Sequence, residues 1–244
     1  MKNLFIDENI LPRLHGGEDI LEPGEIVTIA KNIKKLEHRA LFILEYLTGG
    51  RVGEIVSNKG KYGSEFGVRK KQFKLNEIGG KDYLFINDVY VLKKYEFIRN
   101  PNFDPRKDHP RDKFMKNLDC NTWQTKRKFE KKVIPIPIHK EKELVDMLNE
   151  YLNNLGYSNY LFDKTRQWAH KVISSILLVV KPHSTLNKML NANHYFRHVR
   201  TTHLITEYKL SESHIVKLMK WSNSEQLHRT YSHLFGDDLA RAMG

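Results

Sequence analysis

One segment of the sequence places an arginine directly after two glycines. It reads Thr-Gly-Gly-Arg-Val-Gly-Glu over residues 48–54. Glycine lets the backbone come close to a ligand, and the Arg51 guanidinium can hold a phosphate through two parallel hydrogen bonds. The same residues also fit an ordinary helix end followed by a surface arginine. No Gly-Lys-Ser or Gly-Lys-Thr follows, which excludes a nucleotide-binding P-loop.

A second segment, residues 194–198, reads His-Tyr-Phe-Arg-His and is predicted to open a helix. A spacing of three places His194 and Arg197 on one helical face, where an imidazole and a guanidinium could bind one phosphate. A surface pair without a function is the alternative. His198 and His203 could belong to a metal site, but no Cys or carboxylate lies at a supporting spacing, so we expect neither a metal nor a cofactor.

Two aromatic residues near the end of the sequence could also contact a phosphate. Trp221 carries an indole N–H that can donate a hydrogen bond, and Tyr231 follows it ten positions later in His-Arg-Thr-Tyr-Ser-His. A tyrosine hydroxyl becomes a nucleophile once its proton is removed. Taken singly, each aromatic residue is more typical of core packing.

The order of these segments resembles the tyrosine recombinase, or phage integrase, family, and the resemblance runs from about Pro23 to His233. Residues 48–54 match the family's T-G-x-R-x-x-E box. Residues 194–204 match its H-x-L-R-H-x-x-x-T-x-L box, with Phe196 in place of the usual leucine. Trp221 stands where the family has His or Trp, and Tyr231 stands where it has the nucleophile.

The resemblance implies a site-specific recombinase that cuts and rejoins double-stranded DNA without a metal. Tyr231 would attack the scissile phosphorus and form a 3′-phosphotyrosyl bond, releasing a 5′-hydroxyl. Arg51 and Arg197 would hold the phosphate oxygens, and Trp221 would donate to them or support them. His194 would handle the proton near the tyrosine and the phosphate.

The resemblance further implies a lysine in a β-hairpin that protonates the departing 5′-oxygen. The neighbourhood reads Thr-Lys-Arg-Lys over residues 125–128, which favours Lys126 and leaves Lys128 as the second choice. Glu54 is expected to orient Arg51 or a neighbouring base. Arg51 and Lys126 are 75 positions apart, more than the family usually has, which predicts an insertion between them.

The composition favours a nucleic-acid partner. The chain of 244 residues has a formal net charge of +12 and a pI near 9.5, and Lys and Arg side chains gain binding free energy by displacing counterions from a polyphosphate. Residues 59–132 alone hold 20 Lys and Arg against 10 Asp and Glu. The single cysteine, Cys120, and the acidic, non-apolar N-terminal sequence favour the cytoplasm over a secreted, disulfide-linked protein.

The hydrophobic pattern predicts an α+β fold that is mostly helical and carries a small antiparallel sheet. Residues 1–22 are expected to be a tail or remnant linker, and residues 23–244 a recombinase catalytic domain that lacks the usual core-binding domain. Helical spacing predicts two helices between Pro23 and Gly49, and further helices after Ile138. Strands are predicted over residues 83–92 and 133–138, and a loop over 100–122.

Two other functions fit the same residues. One is an accessory DNA-binding protein of this fold without activity, and the other is an enzyme that resembles the type IB topoisomerases. Family members work as tetramers on two DNA sites, which implies a homo-oligomer here. Residues 234–243 could be a tail that contacts a neighbouring copy.

Overall fold

A computed structural model describes residues 20–57, 66–99, 123–157, 159–180, 192–221, 223–225, 227–228 and 231. Helices predominate in it, and a small three-stranded antiparallel sheet accompanies them. The prediction of a mostly helical α+β fold is therefore confirmed. None of the described helices is both long and apolar enough to cross a lipid bilayer.

The first two helices surround the start of the candidate site. Helix α1 spans Pro23–Asn32, with proline in the first turn, and helix α2 spans Leu36–Thr48. Both were predicted from apolar spacing. Residues 40–48 of α2 are all buried, so this helix lies inside the protein. Helix α2 ends at Gly49, whose φ of 51° is in the left-handed region. A side chain at Gly49 would also collide with Met219, because a Cβ atom there would lie 2.7 Å from its Cε.

The predicted sheet is larger than the apolar pattern indicated. A short helix, α3, spans Val52–Ile55 and is followed by strands β1 at Phe73–Ile78, β2 at Lys81–Arg99 and β3 at Trp123–Pro137, in the spatial order β1-β2-β3. Strand β1 was not predicted, because most of its side chains are exposed and it lacks a clear apolar face. It pairs antiparallel with β2, from Phe73 opposite Ile86 to Ile78 opposite Lys81.

The outer parts of β2 and β3 belong to a separate compact unit, residues 90–131. Within it, the Lys131 ammonium lies 5.3 Å from the centre of the Tyr90 ring. This unit contains about half of the predicted insertion. The loop predicted over residues 100–122 lies outside the described residues, as do residues 1–19 of the predicted tail. The proposed domain boundaries stay a prediction.

The described residues of the larger unit form four further helices. They are α4 at Ile138–Asn153, α5 at Arg166–Val180, α6 at Ala192–Thr206 and α7 at Glu212–Met219. Helix α2 packs against α4 and α6 in the core, where the Phe42 and Phe196 rings meet edge to face at 4.9 Å. A buried ion pair also joins α4 to α6, since Arg200 Nη1 lies 2.5 Å from Glu141 Oε1. Helix α5 in turn contacts both α3 and α6, which brings the starts of these three helices close to one another.

Candidate active site

A pocket of about 430 Å³ opens where α3, α5 and α6 begin. It collects residues that are far apart in sequence, because the end of α2 turns directly into α3 and packs beside α6. Its described lining is rich in cationic and imidazole side chains and consists of Gly50, Arg51, Val52, Gly53, Arg166, Gln167, His170, His194 and Arg197. Three of the residues predicted from the sequence thus share one pocket.

Arg51 reaches into this pocket from the N-cap position of α3. Its side chain is 45% exposed, so its guanidinium can meet a ligand from solvent. Glu54, one turn along α3, is buried and places a carboxylate oxygen 3.6 Å from Arg51 Nη1. This contact orients the guanidinium towards the pocket.

Arg197 is fixed by the fold before any ligand binds. Its Nη1 donates to the carbonyl oxygen of Gly49 at 3.0 Å, and its Nη2 donates to the carbonyl oxygen of Met219 at 2.6 Å. A guanidinium carries five N–H donors, so these two bonds leave others for a ligand. Burial lowers the pKa of Arg197 to about 10, against the opposing effect of Glu54, and the side chain stays cationic at neutral pH.

Trp221 lies next to Arg197, and Tyr231 stacks on Trp221. The Arg197 Cζ atom is 5.3 Å from the centre of the Trp221 ring, and the Trp221 and Tyr231 rings stack with their centres 6.3 Å apart. Both aromatic side chains are buried. Among the described residues, the buried Trp221 Nε1 has no hydrogen-bond partner. A buried donor of this kind is costly unless an acceptor such as a phosphate oxygen occupies the space beside it.

The Tyr231 hydroxyl lies 2.7 Å from His198 Nδ1. Burial raises the pKa of Tyr231 to about 12, although a hydrogen bond with Thr201 and the charge of Arg197 oppose the rise. The hydroxyl therefore keeps its proton at neutral pH and needs a base to become a nucleophile. Burial, together with His194 and Arg197, lowers the pKa of His198, so its imidazole is neutral and able to accept that proton.

His194 is exposed at the start of α6 and lines the pocket on the same side as Arg197. Burial of part of the ring lowers the pKa of His194, and the charges of Arg197 and Arg51 lower it further. The His194 ring is thus largely neutral at neutral pH. It can donate to or accept from a bound group, depending on its tautomer.

A buried ion pair between Lys132 and Glu54 lies next to Arg51 of the pocket. Lys132, on β3, places its Nζ 2.7 Å from Glu54 Oε2, and both side chains are almost completely buried. Burial lowers the pKa of Lys132, whereas Glu54 raises it. Glu54 therefore connects one buried cation to Arg51, which faces the pocket.

We expect Lys132→Met to destabilise the protein by about 3–5 kcal/mol, because it leaves Glu54 as an unpaired buried carboxylate. Urea unfolding would measure the loss. The double variant Lys132→Met, Glu54→Gln removes both charges and should recover most of it. A single variant within about 1 kcal/mol of the parent protein would contradict a stabilising role for the pair.

Of the predicted site residues, Arg51, His194 and Arg197 line one pocket. Trp221 contacts Arg197, Tyr231 stacks on Trp221, and Glu54 contacts Arg51, but these three lie outside the described pocket lining. The backbone of Lys126 and Lys128 lies in β3, but their side chains fall outside the described residues. The choice between these two lysines stays open.

Sequence reasoning missed several residues at this site, including His170 and Gln167 of the pocket lining. His198 had been considered only as a metal ligand, and its place in the H-x-x-R-H segment was the signal available for a role beside the tyrosine. Arg166 and Lys132 gave no signal, because lysines and arginines are common throughout this basic chain. No group of three or more His, Cys, Asp or Glu side chains within the described ranges could hold a metal ion.

Comparisons with known proteins do not assign the chain to a family. No family model matches it, and neither a curated protein nor a solved structure does so.

Proposed function

We propose that this chain is a tyrosine recombinase that cuts and rejoins double-stranded DNA through a covalent bond between Tyr231 and a 3′-phosphate. One observation carries the proposal: the Tyr231 hydroxyl lies 2.7 Å from an imidazole nitrogen, and its ring stacks on Trp221, which contacts Arg197 of the arginine-rich pocket. A nucleophile, a base and charge-stabilising groups are the parts that phosphoryl transfer to a tyrosine requires.

In the proposed reaction, the scissile phosphate occupies the pocket and its non-bridging oxygens accept hydrogen bonds from Arg51 and Arg197. The Trp221 N–H, which has no partner among the described residues, donates a further hydrogen bond. Arg197 needs no rearrangement to do this, because its bonds to two backbone carbonyls already fix its plane. Donors held in place before the reaction stabilise developing charge without a cost of reorganisation.

The Tyr231 oxygen forms a bond to phosphorus while its proton passes to His198 Nδ1, and the bond from phosphorus to the 5′-oxygen breaks. The departing 5′-oxygen takes a proton from a general acid, which is Lys126 or Lys128 by resemblance. Reversal with a different 5′-hydroxyl rejoins the strand without ATP, since the covalent bond conserves the energy of the phosphodiester.

A trapping experiment tests this proposal. The chain is incubated with a pool of nicked duplexes of randomised sequence, in which the short fragment carrying the 5′-hydroxyl diffuses away after cleavage. We expect a covalent protein–DNA complex on a denaturing gel, and peptide mapping should place the nucleotide on Tyr231. Absence of any covalent complex, while the pool still binds, would favour the accessory DNA-binding alternative.

Two further assays distinguish recombination from the relaxation of supercoiled DNA that a topoisomerase catalyses. Trapped sequences can be built into paired duplexes to measure strand exchange, and a supercoiled plasmid can be tested for relaxation. We expect strand exchange between paired sites, by a homo-oligomer assembled on DNA. Plasmid relaxation without strand exchange would place the enzyme with the type IB topoisomerases instead.

We expect His198→Gln to slow covalent complex formation by about 10²-fold, because glutamine cannot take the tyrosine proton. The rate of the parent protein should rise with pH through the lowered pKa of His198, below about 6.5, and then level off. His198→Gln should lose this rise. A rapid-quench measurement from pH 5 to 8 would show both effects.

His194→Gln is the matched comparison, because both histidines lie on α6 and both have a lowered pKa. It should retain the pH-dependent rise. If His194→Gln removes the rise and His198→Gln keeps it, the tyrosine proton passes through His194, as the resemblance implied.

A further inference from the structure

We propose that the pocket binds two successive phosphates of one DNA strand, with Arg166 and His170 contacting the second. The inference rests on the proposed function, since it takes the DNA backbone as the ligand. Arg51 and Arg197 would hold the scissile phosphate, and the first turn of α5 would hold its neighbour.

The size of the pocket supports two phosphates. At about 430 Å³ it falls within the range of roughly 300–1,000 Å³ typical of sites for drug-sized ligands. A single phosphate is far smaller than such a ligand. The pocket therefore has room for a phosphate, a sugar and a second phosphate.

The charges of the pocket also favour two bound phosphates. Arg51, Arg166 and Arg197 place three guanidinium groups around one space, and its described lining includes no carboxylate. The nearby carboxylate of Glu54 already pairs with the buried Lys132. A phosphodiester carries one negative charge, so three guanidinium groups are better matched by two phosphates.

The position of Arg166 separates it from the other two arginines. Its guanidinium packs directly over the backbone of Gly53 in α3, and a Cβ atom on Gly53 would lie 2.6 Å from Arg166 Cζ. His170, four residues along α5, is exposed and lines the pocket on the same helical face as Arg166. These two side chains form a wall that belongs to α5, whereas Arg51 and Arg197 belong to α3 and α6.

Two small probes test the inference without DNA cleavage. Thymidine 3′-phosphate carries one phosphate, and thymidine 3′,5′-bisphosphate carries two on the same nucleoside. We expect the parent protein to bind the bisphosphate about tenfold more tightly in calorimetric titrations, because the second phosphate gains charge-assisted hydrogen bonds. Arg166→Ala should abolish this preference and leave the affinity for thymidine 3′-phosphate unchanged, and His170→Ala should reduce the preference.

Gly53→Ala provides a second variant that keeps every charge. Its methyl group would displace the Arg166 guanidinium, and Gly53 lies in a helix without a positive φ, so alanine fits the backbone. We expect the bisphosphate preference to fall as it does in Arg166→Ala. Lys171→Ala, an exposed charge change on α5 outside the pocket lining, should leave the preference intact.

The outcomes separate this inference from the proposed function. Equal binding of the two probes by a parent protein that forms the covalent DNA complex would overturn the two-phosphate pocket alone. An equal loss of affinity for both probes in Arg166→Ala would also overturn it, since Arg166 would then contact the first phosphate. A parent protein that binds neither probe and forms no covalent complex would overturn both proposals.

Discussion

Tyr231→Phe should abolish the covalent protein–DNA complex while leaving DNA binding intact. Phenylalanine retains the ring that stacks on Trp221 but lacks the oxygen that would attack phosphorus. We expect complex formation to fall by at least about 10³-fold, to below detection on a denaturing gel. Binding to the same nicked duplexes, followed by fluorescence anisotropy, should change by less than about twofold, because the phosphate contacts that dominate affinity remain.

The fold should tolerate this change. The lost hydroxyl contacts His198, and one hydrogen bond contributes about 1 kcal/mol to stability. Urea unfolding of Tyr231→Phe therefore serves as the control. A covalent complex that persists in the folded variant would show that another residue is the nucleophile, and a loss of binding together with the complex would show that Tyr231 is needed for the fold or the interface.

Arg197→Lys should impair both catalysis and stability. An ammonium cannot reproduce the planar fork that bonds to the Gly49 and Met219 carbonyls and still faces the pocket. We expect the rate of covalent complex formation to fall by about 10²–10³-fold, as when one preorganised donor is removed from an active site. Loss of a charge-assisted bond to a buried carbonyl should also cost about 2 kcal/mol in urea unfolding.

Arg51→Lys is the matched comparison, since Arg51 is half-exposed and makes only a 3.6 Å contact with Glu54 among its described ion pairs. It should slow complex formation strongly but change the unfolding free energy by no more than about 0.5 kcal/mol. If the two variants lose the same stability, the backbone contacts of Arg197 do not support the fold.

Much of the helical fold could be predicted because apolar residues recur at helical spacing. Helix α2 ends where Gly49 and Gly50 indicated, and α5 was evident from Trp168, Val172 and Leu177. Strand β1 could not be predicted, because strand pairing with β2 defines it more than its own composition does. The lengths of β2 and β3 were also underestimated, since their outer parts are basic and polar.

The candidate site could be predicted where its residues lie in short motifs. Arg51 and Glu54 share one helical turn, and so do His194 and Arg197. The contact between His198 and Tyr231 spans 33 positions and the whole of α7, so no local spacing encodes it, and the motif that contains His198 was the available signal. Arg166 was missed for the same reason: its role depends on how α5 packs beside α3, which no local pattern encodes.

The two hydrogen bonds from Arg197 to backbone carbonyls affect which substitutions evolution would accept at this position. Because this side chain joins the end of α2 to the end of α7, a descendant without the proposed strand cleavage would still need it for the fold. Among the described residues Arg51 makes no such link between helices, so only the proposed chemistry would preserve it. An arginine at position 51 is therefore the better marker of the proposed activity among distant descendants of this protein.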